Sequence, residues 1–190
     1  MLTIRCLHLA AIASLVVAGT ASAQSGLLSN TSAVTINATK QASLTVTINS
    51  GGTQTLAALT DNAVNNFATP VNITTAWDIN PSAAAVVLAG YFSTPAQALA
   101  NGTNFIASSL VRARLGLAGA FNPFTGGVVT GGASTTGVAG GTLQLFSQGI
   151  TGVNRNSNRT DDLYLQIDLT GQTTVPGTYA GTLNLRAITQ

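Results

Sequence analysis

Five aspartates, Asp61, Asp78, Asp161, Asp162 and Asp168, are the only acidic side chains of this 190-residue chain, which has no glutamate. One histidine, His8, and one cysteine, Cys6, stand near its start. Catalysis needs groups that shuttle protons, attack as nucleophiles or hold a metal. Beyond residue 8 there is neither imidazole nor thiol. Ser-His-Asp and Cys-His arrangements, and zinc sites built from His and Cys, are therefore excluded there. Asp161-Asp162 is the one acidic pair. Neighbours on a strand point to opposite faces, so the pair would not make a two-carboxylate acid/base site. In a turn it could join backbone carbonyls around calcium. The preferred reading is structural: Asn154–Asp162 as a polar turn before a strand, with Arg159 beside an aspartate. Glycines between Gly126 and Gly141 are followed by no lysine, so a phosphate loop is not supported. The residues thus point to no catalytic group, no metal ligand and no cofactor, and the expectation is a non-enzymatic protein.

Binding is the other chemistry to weigh. Trp77, Tyr91 and Phe124 are the candidate ligand contacts, as platforms for carbohydrate or another surface. Trp77 alternates with aliphatic residues, which favours a core position, and aromatic residues such as Tyr91, Phe92, Phe121 and Phe124 also suit the open ends of a β-sandwich. Arg112 and Arg114 sit two residues apart on one strand face, as a solvated pair or as contacts for an acidic polymer. The formal net charge is only +2, so no basic field exists to attract nucleic acid or anionic lipid.

The first residues read as an address. Arg5 supplies a positive start, Leu7–Ala18 an apolar middle, and Ala21-Ser22-Ala23 a small-residue cleavage site. The apolar run is shorter than the about 20 residues needed to span a membrane. The expected division is a signal peptide at 1–23 and one domain at 24–190, secreted to the periplasm, cell surface or medium, with no membrane span after cleavage. Cys6 and His8 would leave with the signal, so the fold must hold without disulfides. A surface with so few charges also permits close contact with copies of itself.

The elements that must position these residues are strands. Period-two alternation marks Val34–Thr39, Leu44–Asn49, Val71–Ile79, Leu110–Leu117 and Leu163–Leu169. Ala84–Phe92 is almost continuously apolar, as in a strand covered on both sides. Thr142–Ser147 and Thr178–Ile188 complete the set. Thr94 as N-cap, Pro95 at the first position and Asn101-Gly102 as a stop predict one short helix over Ala96–Ala100. Gly116–Gly141 is a Gly-rich excursion, either a flexible loop or a mostly ordered segment with a hairpin through Gly127–Thr130. Eight or nine strands with turns between them predict an all-β sandwich.

The ending Val175-Pro176-Gly177-Thr178-Tyr179-Ala180-Gly181-Thr182-Leu183-Asn184-Leu185 resembles that of spore coat U domain proteins and related fimbrial subunits. Asn154–Asp161 and Trp77-Asp78-Ile79-Asn80-Pro81 are similar to segments of a group of uncharacterised secreted acidobacterial proteins. The resemblance implies an immunoglobulin-like β-sandwich in a secreted surface or pilus-like component. Many spore coat U proteins carry cysteines that this chain lacks. Such subunits assemble by donating an N-terminal strand to a neighbour, a form of β-augmentation. Ser32–Lys40, through Val34, Ile36 and Ala38, is the segment that would serve; its other reading is the first strand of its own sheet. The functional expectation is a secreted structural protein whose partners are copies of itself or other surface proteins, with a non-catalytic ligand-binding module as the alternative.

Overall fold

The computed structural model describes residues 28–80 and 82–190. The expected signal peptide at 1–23 lies outside them. Packing divides the chain between Thr39 and Lys40 into two units. The described part of the first, Leu28–Thr39, contains no strand, and all of its side chains are exposed.

Lys40–Gln190 is all-β. β1 (Ser43–Ser50), β2 (Val64–Asn66), β3 (Val71–Asp78) and β4 (Ala85–Tyr91) come first. A single 3₁₀ turn, Pro95–Gln97, leads to β5 (Leu99–Asn101) and β6 (Asn104–Ile106), and a second, Ser108–Leu110, to β7 (Val111–Leu115). β8 (Asn122–Pro123), β9 (Val129–Gly131) and β10 (Ser134–Thr136) occupy the Gly-rich stretch. β11 (Thr142–Gly149), β12 (Asn156–Asp168) and β13 (Asn184–Thr189) follow. The larger sheet runs β1-β3-β12-β7-β8, with β2 also paired to β12; the smaller runs β11-β4-β13. All of these pairings are antiparallel. Among the described residues no helix is long and apolar enough to cross a membrane.

The two inner faces make the core. Ile73, Trp77, Leu163 and Ile167 from the larger sheet meet Val86, Leu88 and Phe146 from the smaller. β3 shows how the pattern works: Val71, Ile73, Thr75 and Trp77 are buried while Asn72, Thr74, Ala76 and Asp78 are half-exposed on the outer face. Each large apolar side chain buried this way contributes about 1.5–3 kcal/mol. β4 lacks alternation because both its faces are covered. Val86 and Leu88 face the core, and Val87 and Ala89 pack with Ile188 and Val129 under the β9–β10 hairpin. The Gly-rich excursion therefore carries a hairpin that serves as a lid on the outer face of the smaller sheet.

Four expectations change. The predicted helix at Ala96–Ala100 is one 3₁₀ turn, and Leu99–Asn101 instead pairs with Asn104–Ile106. Asn101-Gly102, the expected helix stop, opens that hairpin, with Gly102 at φ +60°. The polar turn expected to run to Asp162 ends by Arg155, because Asn156–Asp162 pairs residue by residue with β3. The last strand starts at Asn184 and not Thr178; Ala180 instead bridges to Ala100, and Gly181 lies against the Ala98 carbonyl too closely for a side chain. The reading of Ser32–Lys40 as the first strand of its own sheet is also not met, since β1 begins at Ser43.

Candidate functional site

The three candidate ligand contacts lie apart. Trp77 is 4% exposed on the inner face of β3, with its indole N–H donating to the Asn154 carbonyl at 2.7 Å. Phe124 is fully buried and meets Phe92 edge-on, centroids 5.2 Å apart. Burial removes both as platforms, since neither presents a ring face to solvent. Tyr91 is half-buried at the end of β4.

The aspartates are dispersed and each has its own partners. Asp61 accepts from the Thr174 N–H and hydroxyl at 2.9 and 2.8 Å. Asp78 pairs with Lys40 and accepts from Asn156. Asp161 and Asp162 take opposite faces of β12. Asp161 faces inward and forms a two-pronged pair with Arg159, both contacts 2.6 Å, while the guanidinium lies 4.1 Å from the Phe146 ring centre. Asp162 faces outward and accepts from Asn72 at 2.6 Å, within a polar ladder that also joins Asn49, Thr74 and Thr160. Asp168 binds Arg112 at 2.9 Å. Hydrogen bonds from the Thr170 side chain and backbone, and then the Arg112 charge, hold its carboxyl below the usual carboxylate range. Arg114 lies over Phe121 and Tyr164, 4.5 and 5.5 Å from their centroids, and donates to the Gly119 carbonyl. Both arginines of β7 are thus engaged within the chain. Among the described residues no three His, Cys, Asp or Glu side chains gather as a metal would require.

What the fold does bring together is an open flank. One long side of the sandwich is stitched shut. Gly126 and Thr142 exchange backbone hydrogen bonds, and the Ser108 hydroxyl lies 2.8 Å from the Phe124 carbonyl and 3.0 Å from that of Gly140. The other side lies between β1, an edge of the larger sheet, and β13, an edge of the smaller. Among the described residues no backbone hydrogen bond joins these two strands. Their inward residues stay incompletely covered: Leu44 and Val46 of β1 and Leu185 and Ala187 of β13 are half-buried, and Ile48 is 48% exposed. A chamber of about 570 Å³ opens at one end of this flank, between Ile48, Leu56, Leu59 and Leu183. A second, of about 440 Å³, opens at the other, between Ser43, Leu44, Gly131, Thr189 and Gln190.

In the first unit, Val34 and Ile36 are 84% and 86% exposed and Ala38 is exposed too, so the alternating segment buries none of its apolar side chains well. Reading the sequence finds both strands of the open flank but not their relation. Alternation identifies an inward face; it does not say that β1 and β13 end two different sheets beside each other. Comparison with protein-family models, with curated proteins and with solved structures finds no match to this chain.

Proposed function

We propose that this is a secreted or cell-surface structural protein that assembles with copies of itself by strand addition. One observation carries the reading: the inward apolar residues of two edge strands are incompletely covered, and the same chain has an exposed, alternating segment that pairs with no strand among the described residues. Val34, Ile36 and Ala38 have the spacing that lines one face of a strand, and β1 and β13 offer edges with unpaired backbone groups. Low charge supports it, because few repulsions oppose close contact. The Arg5 start, apolar middle and Ala-Ser-Ala site support export.

The test is assembly of the exported chain. Size-exclusion chromatography and electron microscopy are expected to show concentration-dependent multimers. Deletion of residues 28–38 is expected to abolish them while the circular dichroism of the β body is retained. A strictly monomeric parent chain at high concentration overturns the reading.

A further inference from the structure

The larger chamber reaches into the sandwich, with lining residues from both sheets. Val71, Phe92, Val111, Leu163, Leu165 and Ile167 are the buried residues of its wall. Its volume is about 570 Å³. Protein interiors are close-packed, and the voids they leave seldom exceed a water molecule. A chamber of this size falls instead in the roughly 300–1,000 Å³ range of small-molecule sites. None of its lining residues is charged. Two connections form its mouth: residues 51–63 between β1 and β2, and residues 169–183 between β12 and β13. They are pinned together at one end, where Asp61 accepts from Thr174 and the Asn62 N–H donates to the Gln172 carbonyl at 3.0 Å. Beyond that point, among the described residues, no backbone hydrogen bond joins residues 52–60 to residues 175–183.

We infer that the chamber binds an uncharged, largely aliphatic small molecule, which enters between the two connections and keeps one neutral polar end at the mouth. The buried part of the wall is apolar throughout, so a hydrocarbon body leaves water there at no polar cost. An ionic ligand would give up its hydration and meet no opposite charge. The exposed part of the lining includes Thr55, Thr178 and Thr182, whose hydroxyls can both donate and accept. Gln54 and Tyr179 also line the chamber, and each donates within its own loop, Gln54 to the Gly51 carbonyl at 2.7 Å and the Tyr179 hydroxyl to the Val175 carbonyl at 3.2 Å. The threonine hydroxyls are placed to meet an alcohol, ester or amide end. The site is separate from the assembly proposed above and does not require it.

N-phenyl-1-naphthylamine, an uncharged dye that fluoresces in apolar surroundings, tests the site on the exported chain. Saturable binding of one dye per chain is expected, with decanol displacing it about tenfold more effectively than decanoate in mildly alkaline buffer. V71F and V111F put a ring into the chamber from two different strands, so one misfolded variant does not decide the result. Each that retains the parent's circular dichroism is expected to bind the dye about tenfold more weakly, while L44F, beside the smaller chamber, binds it as the parent does. No saturable binding, unchanged binding by V71F and V111F, or a loss confined to L44F overturns the site. Equal displacement by decanoate overturns the uncharged ligand. Binding by a chain lacking residues 28–38 but not by the parent gives the chamber to that segment and overturns the proposal as well.

Discussion

The two long flanks of the sandwich use similar residues and finish differently. On the β7–β11 side, Phe124 fills the core, its carbonyl meets Ser108, and the Gly126–Thr142 backbone pair ties the larger sheet to the smaller. On the β1–β13 side, the two edge strands lie beside each other with Leu44, Val46, Leu185 and Ala187 only half-buried, and no backbone hydrogen bond within the described residues joins them. The difference lies in the intervening chain. Gly116–Gly141 wraps the β7–β11 edge and carries the β9–β10 hairpin over the smaller sheet to β13, but among the described residues it makes no backbone hydrogen bond to β1. A β-sandwich is thus closed by whatever its connections can reach. An edge without such a connection leaves apolar surface for another strand.

That contrast can be broken from either side. Phe124→Ala should be the most damaging change. It removes a fully buried ring from the closed flank and should cost about 3–5 kcal/mol in denaturant unfolding. A loss below about 1 kcal/mol would mean that packing does not close this flank. Ile36→Ser should leave unfolding of the body unchanged but weaken multimer formation by about 30-fold, equivalent to roughly 2 kcal/mol of lost burial; analytical ultracentrifugation reads this directly, and an unchanged association constant would contradict it.

Ile48→Ala should be milder for the isolated chain. With half of its surface already in water, its truncation should cost about 1 kcal/mol. A cost matching that of Phe124→Ala would show that the open flank is closed in solution. The smallest effect should come from Asp168, at the end of β12. Its folded-state carboxyl sits below its unfolded value, so its contribution is present above the unfolded carboxylate range and lost as pH falls through the folded one. Unfolding of Asp168→Asn should therefore lose part of the acid dependence seen in the parent; identical pH profiles would remove this role.

Much of the sandwich was legible in the sequence. Period two located β1, β3 and the Leu163–Asp168 half of β12, because their inward residues are apolar. The other half of β12 escaped since its inward positions are Arg159 and Asp161. Charged side chains broke the expected pattern, yet the pair satisfies itself and lies over Phe146. The broken rhythm at Leu143, Leu145 and Phe146 is a register shift opposite β4, which lets Leu143 and Phe146 both face the core. Pro95 and Asn101-Gly102 were good helix punctuation around too short a segment, and tertiary pairing turned Leu99–Asn101 into a strand. Trp77 kept the core position its alternation favours, and its role as a platform fell with that. Val34–Thr39 has the pattern of a strand but pairs with none among the described residues. Periodicity reports which side of a segment would be buried, and only topology supplies the surface that buries it.

The smaller chamber has Ala42 on one wall and Gln190 on the other. Ala42 and Gln190 therefore lie close together, with Gln190 held by the backbone of Ala84 and Ala85. A short linker from Gln190 back to Lys40 would span that distance without disturbing a strand. The body is thus a natural scaffold for circular permutation, with new ends placed in the exposed Thr151–Val153 turn.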